Sequence, residues 1–160
     1  MPRALHVRLA LLLAAILIPA GALAIAAALR GARAYHQEIT QRTDADLASN
    51  LVAELGPDAR MPVAETPADG AWADLVKMLA MAHPGVEIYV LDDDGTVVQA
   101  PTEVSPAVPR VDLAPVRAFL EAQAGARRTF PILGTDPRRG GRTVFSADEL
   151  PGGGFLYVVL

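Results

Sequence analysis

Leu9 to Leu29 reads Leu-Ala-Leu-Leu-Leu-Ala-Ala-Ile-Leu-Ile-Pro-Ala-Gly-Ala-Leu-Ala-Ile-Ala-Ala-Ala-Leu, without one charged or hydrogen-bonding side chain. No other stretch limits the chain so strongly. Its 21 residues make roughly 31 Å of helix at about 1.5 Å each, which matches a hydrocarbon core of about 30 Å. Arg8 and Arg30 close the run at its two ends. A centrally placed Arg costs about 2.5–3.5 kcal/mol on insertion scales, so an unbroken run of this length reads as a membrane span. The competing reading is a cleaved signal peptide, with Arg3 and Arg8 as its basic start, Leu9 to Ile18 as its apolar centre and Ala22-Leu23-Ala24 as the cleavage site after Pro19. Apolar residues continue to Leu29, beyond that cut, which favours the retained anchor. Either way the bulk of the chain is exported. Arg30 and Arg33 nearly balance Arg3 and Arg8, so the positive-inside rule votes weakly, and the short tail of residues 1–8 is the natural cytoplasmic end.

Charge divides at the same boundary. Residues 1–34 hold four arginines and no acid, while the whole chain sums to −4, so residues 35–160 carry −8. An acidic globular part of this kind opposes phosphate backbones, and its one local basic cluster lacks interleaved stacking aromatics, so nucleic acid is not an expected partner. There is no cysteine, hence no disulfide framework, thiolate metal site or cysteine nucleophile.

Beyond the span, Ile39, Leu47, Leu51 and Leu55 fall on one helical row with Ala48 and Val52 beside it, which predicts a helix over 35–55 stopped by Gly56-Pro57. This juxtamembrane segment, residues 30–56, would serve as a stalk that also covers the sheet and pairs with a second copy of the chain. Residues 57–70 read as a connecting loop. Asp69 can cap a helix over 71–82 carrying Trp72, Leu75, Val76 and Leu79, ended by His83-Pro84-Gly85. Val86 to Val98 is then a β-hairpin, because two β-branched runs flank Asp92-Asp93-Asp94-Gly95. Asp112 caps a short helix running to about Gln123, with Pro115 tolerated in its first turn and Gly125 ending it. Strands follow at 129–133, 142–147 and 155–160, the last two joined by a turn at Pro151 to Gly154. Short turns between neighbouring strands imply an antiparallel sheet of about five strands with flanking helices, an α+β fold over residues 57–160.

Chemical motifs are sparse. Asp92, Asp93 and Asp94 invite a calcium reading, but the alternating ligands and closing glutamate of an EF-hand are absent, so they read as a plain turn. Ser146 has no nucleophile elbow, and Gly140-Gly141 and Gly152 to Gly154 lack the lysine of a phosphate loop. No catalytic or metal-ligating residue is expected. What stands out is Arg127, Arg128, Arg138, Arg139 and Arg142, faced only by Asp136 across residues 126–142. Guanidinium groups on loops beside a sheet suit bidentate capture of a small carboxylate or phosphate, and a solvated loop or contact with anionic lipid is the plainer alternative.

An N-terminal anchor, a long emerging helix, Tyr89-Val-Leu-Asp-Asp-Asp-Gly-Thr-Val, Val111-Asp-Leu-Ala-Pro115, Pro131-Ile-Leu-Gly-Thr-Asp-Pro137, Val144-Phe-Ser-Ala147 and Phe155-Leu-Tyr-Val-Val159 together resemble the extracytoplasmic PAS-like (PDC) sensor region of bacterial two-component histidine kinases. The resemblance implies a sensor domain in the periplasm and an anchor in the inner membrane, with Tyr89 beside the arginines as a candidate ligand contact. It also implies a downstream kinase core using ATP and Mg, and a response regulator as its partner. His6, His36 and His83 do not sit in a phosphoacceptor setting, so neither that core nor a cofactor of its own is expected within these residues. Phe155 to Leu160 ends inside an apolar run, so the sequence is expected to continue into a second span of about 20 residues. An exported or anchored binding or scaffold protein, or the sensor of a chemoreceptor or cyclic-dinucleotide enzyme, stays open.

Overall fold

A computed structural model describes residues 2–56, 81, 85–101, 106–125 and 129–160. The expected helix over 71–82 lies outside the described residues, apart from Met81. The chain divides into two units, residues 1–37 and 38–160. In the first, helix α1 (Pro2–Thr43) takes in the whole uncharged run, with Pro19 inside it. The large apolar side chains from Leu11 to Leu29 are exposed. Among the described residues one helix is long and apolar enough to cross a membrane, a test that a signal sequence also passes.

The predicted continuous helix over 35–55 is broken. α1 ends at Thr43 and α2 runs from Leu47 to Leu55. Thr43, Asp44 and Asp46 are weak helix formers whose side chains compete for backbone groups. Tertiary contacts complete the break, because the Ala45 carbonyl accepts from the Ser146 hydroxyl at 2.7 Å and from Gln123 Nε2 at 2.8 Å.

The second unit is α+β. Its five-stranded antiparallel sheet has the order β2-β1-β5-β4-β3, formed by β1 (Glu87–Leu91), β2 (Val97–Gln99), β3 (Leu133–Thr135), β4 (Arg142–Glu149) and β5 (Phe155–Val159). α3 (Leu113–Ala124) follows β2, and its Asp112 cap accepts from the Ala114 amide at 3.0 Å. The central strand β5 is buried at every position. Its residues alternate between two cores. Phe155, Tyr157 and Val159 join Tyr89, Leu91, Phe145 and Ala147 under Val116 and Phe119 of α3. Leu156 and Val158 join Ile88 and Val90 under Ala48 and Leu51 of α2. Each large apolar side chain so buried contributes roughly 1.5–3 kcal/mol, which makes the two-sided sheet the main store of stability.

The β1–β2 hairpin forms as its sequence predicts. Asp92 Oδ1 accepts from the Asp94 and Thr96 amides, and Gly95 takes φ +84°. A Cβ there would also strike the Val111 carbonyl. Asp93 Oδ1 accepts from Gly154 N at 2.7 Å, tying this turn to the β4–β5 turn. β3 is displaced from the expected 129–133 to 133–135. Pro131 has no amide to donate, and both backbone groups of Ile132 bond to the Gln41 side chain instead of to β4.

Candidate functional site

The β3–β4 loop, Asp136 to Gly141, is organised by its one acid. Asp136 Oδ1 accepts from the Arg138 and Arg139 amides at 2.8 and 3.1 Å, while its backbone bonds to Gly140 N and Gly141 O. The buried Asp136 therefore shapes the loop before any ligand is considered. The fold directs the loop arginines apart. Arg138 reaches back to β1, where its Nη1 lies 2.6 Å from Glu87 Oε1. Arg139 stays exposed with its Nη1 3.6 Å from Asp136 Oδ2, and Arg142 is exposed at the start of β4, its Nη2 3.4 Å from the Leu133 carbonyl. Arg127 and Arg128 lie outside the described residues.

Glu87 links Arg138 to Tyr89. The Tyr89 hydroxyl donates to Glu87 Oε2 at 2.6 Å, so the two carboxylate oxygens are divided between a phenol and a guanidinium. Burial alone would raise the Glu87 carboxyl; hydrogen bonds from Tyr89 and Arg138 and the charges of Arg138 and Arg139 outweigh it and hold the group below its ordinary value. Burial, then the Glu87 hydrogen bond, pushes Tyr89 well above the ordinary phenol range. Tyr157 is raised by burial first and by nearby Asp136 second, and its hydroxyl donates to the Thr135 carbonyl at 2.9 Å. Phe145 stacks on Tyr157 with ring centroids 4.8 Å apart, and Phe119 closes on Phe145 at 5.2 Å. Of the described arginines expected to converge on an anion, Arg138 is the one linked to Tyr89, through Glu87, which occupies its guanidinium.

A separate open cleft of about 560 Å³ lies between the β1–β2 turn and the start of α3, lined by Asp93, Asp94, Arg110, Asp112, Leu113 and Arg117 among others. Arg110 crosses it, donating from Nε to the Asp94 carbonyl at 2.8 Å. Among the described residues no cluster of three or more His, Cys, Asp or Glu side chains is placed to hold a metal ion. In the turn, the carboxylates of Asp92 and Asp93 accept from backbone amides, and that of Asp94 lies 3.7 Å from the Arg110 guanidinium.

Four participants escaped the sequence reading: Glu87, Gln41, Ser146 and Gln123. Gln41, Ala45 and Ala48 form an i, i+4, i+7 row of one long and two small residues. Such a row marks a close backbone approach, and all three are buried, at 0%, 1% and 0% exposure. Ser146 carried a subtler signal, a polar residue within a strand that is otherwise apolar from Val144 to Ala147.

No family model, curated protein or solved structure matches the chain.

Proposed function

We propose that the chain is the membrane-anchored, PAS-like sensing portion of a bacterial two-component histidine kinase, with residues 35–160 on the extracytoplasmic side. The observation that carries this reading is the continuity of α1, which runs unbroken from the uncharged membrane-length stretch to Thr43. Gln41, in its last turn, is hydrogen-bonded into the sheet. A binding module that needed only a tether would have no use for that insertion. A sensor must join its ligand-bearing domain to the helix that crosses the bilayer. The five-stranded antiparallel sheet with helices on both faces supports the PAS-like reading.

The expected small anionic ligand would be met first by Arg139 of the loop and Arg142 at the start of β4, since Glu87 holds Arg138, and homodimerisation would use the exposed side of α1 near Tyr35 and Ile39. An exported binding protein is the second reading, since the same apolar helix meets the description of a signal sequence. Alkaline phosphatase fused after Leu55 decides between the two. Active, membrane-bound enzyme supports the anchored sensor, active soluble enzyme supports the exported protein, and inactive enzyme overturns both. The kinase assignment is tested by the gene beyond the Leu160 codon, where a different output domain would sink it.

A further inference from the structure

The junction of α1 and α2 is held by directional hydrogen bonds from three elements. Leu133 and Val144 are paired residues of β3 and β4, and Ile132 and Phe145 would make the next rung. The Gln41 carboxamide stands in that rung. Its Nε2 donates to the Ile132 carbonyl at 2.9 Å and the Phe145 carbonyl at 2.8 Å, and its Oε1 accepts from the Ile132 amide at 2.7 Å. A primary amide has two N–H hydrogens, and both are used. Four residues on, the Ser146 hydroxyl donates to the Ala45 carbonyl at 2.7 Å and accepts from the Ala48 amide at 3.1 Å. The same Ala45 carbonyl accepts from Gln123 Nε2, near the far end of α3, at 2.8 Å.

We propose that Gln41, Ala45, Ser146 and Gln123 form a coupling joint that makes the membrane-proximal end of α1 follow α3 and the β3–β4 pair, so that a displacement of α3 is felt by α1. The proposal rests on the sensing reading above. Its physical basis is the contrast between two kinds of contact. Apolar side chains slide over one another at little cost, whereas hydrogen bonds between 2.7 and 3.1 Å are lost on a displacement of about 1 Å. α3 spans the distance between the two sites. Leu113, Ala114 and Arg117 of its first turns line the cleft, and Gln123 of its last turn holds Ala45. Its 12 residues make a rod of about 18 Å. Motion of the rod therefore reaches the α1–α2 break through one carbonyl, and motion of the β3–β4 pair reaches α1 through one carboxamide.

The test uses the full chain in lipid nanodiscs. The protein has no cysteine, so Ile39→Cys and Glu149→Cys, both at exposed positions, can carry the only two spin labels, with labelled chain diluted into unlabelled chain. Gln41→Met keeps the side-chain length and removes all three hydrogen bonds. The 39–149 distance distribution should shift or broaden, a 121–149 control pair should hold, and the Ile132 amide should exchange about tenfold faster. Gln123→Met should also move the 39–149 distribution while the control pair holds. An unchanged 39–149 distribution in Gln41→Met overturns the joint even if the melting temperature falls. An unchanged distribution in Gln123→Met removes α3 from the route and overturns the proposal as stated. Should Gln41→Met fail to fold, Ser146→Ala read by the same pairs decides in the same way. An inactive phosphatase fusion would defeat the sensing reading and leave these distances to stand or fall separately.

Discussion

Gly134 sits in β3 directly beneath the aromatic core, and replacing it with alanine tests whether that packing is as close as the geometry indicates. Its φ lies outside the left-handed region, so alanine can adopt the backbone without strain. The space is another matter. A Cβ would strike the Tyr157 hydroxyl and come within 2.8 and 2.9 Å of two Phe145 ring carbons. Neither ring can swing away, because Phe145 is stacked on Tyr157 and packed against Phe119, with all three fully buried. Overpacking a full core costs about 1–3 kcal/mol. Pushing the Tyr157 hydroxyl off the Thr135 carbonyl adds about 0.5–1.5 kcal/mol. The lower entropy of unfolded alanine offsets about 0.4–1 kcal/mol. The net destabilisation is about 2 kcal/mol, which at a urea m value of about 2 kcal/mol per M lowers the midpoint by about 1 M. Circular dichroism of the sheet domain during urea unfolding in micelles measures this, with m unchanged. Tyr157→Phe removes the nearest atom, so in the Gly134→Ala background it should cost less than it does alone. A neutral or stabilising Gly134→Ala would refute the close-packing argument.

The Glu87 cluster predicts a pH dependence. A carboxyl held below its ordinary value contributes stability above the unfolded carboxylate range that is lost as pH falls through the folded value, so Glu87→Gln should flatten the acid limb of a stability–pH profile. At the alkaline end the signs reverse: Tyr89 and Tyr157 are raised, their contribution is complete below about pH 10 and fades above it. Ultraviolet titration of the folded protein should therefore show Tyr89 and Tyr157 resisting ionisation until the domain unfolds. Charge reversal should separate the loop arginines. Arg138→Glu sets like charges together at Glu87 and should lower the urea midpoint clearly, whereas Arg139→Glu and Arg142→Glu should leave it almost unchanged. If Arg139 and Arg142 meet a small anion, inorganic phosphate or a dicarboxylate should raise the melting temperature of the unaltered chain and not of the doubly reversed one; no shift with any of these probes removes the anion reading.

The sequence by itself determined what depends on neighbours along the chain. The length and purity of Leu9–Leu29 predict a helix long enough to span a bilayer, since unpaired backbone groups would be costly there. The Asp-Gly turn, the Asp112 cap and the unbroken apolar run of β5 likewise have local causes, and each appears where it was expected. Tertiary structure decided what depends on groups far apart. Arg138 looked available for a ligand because its partner, Glu87, lies 51 positions away. The helix over 35–55 looked continuous because Ser146, 101 positions from Ala45, supplies the hydroxyl that holds the break. β3 starts late because the next rung is filled by Gln41, 91 positions from Ile132. Periodicity and turn propensity report which face of an element is apolar and where the chain reverses. Which backbone groups remain for a distant side chain to satisfy is fixed only when the sheet has closed and every buried donor and acceptor must find a partner.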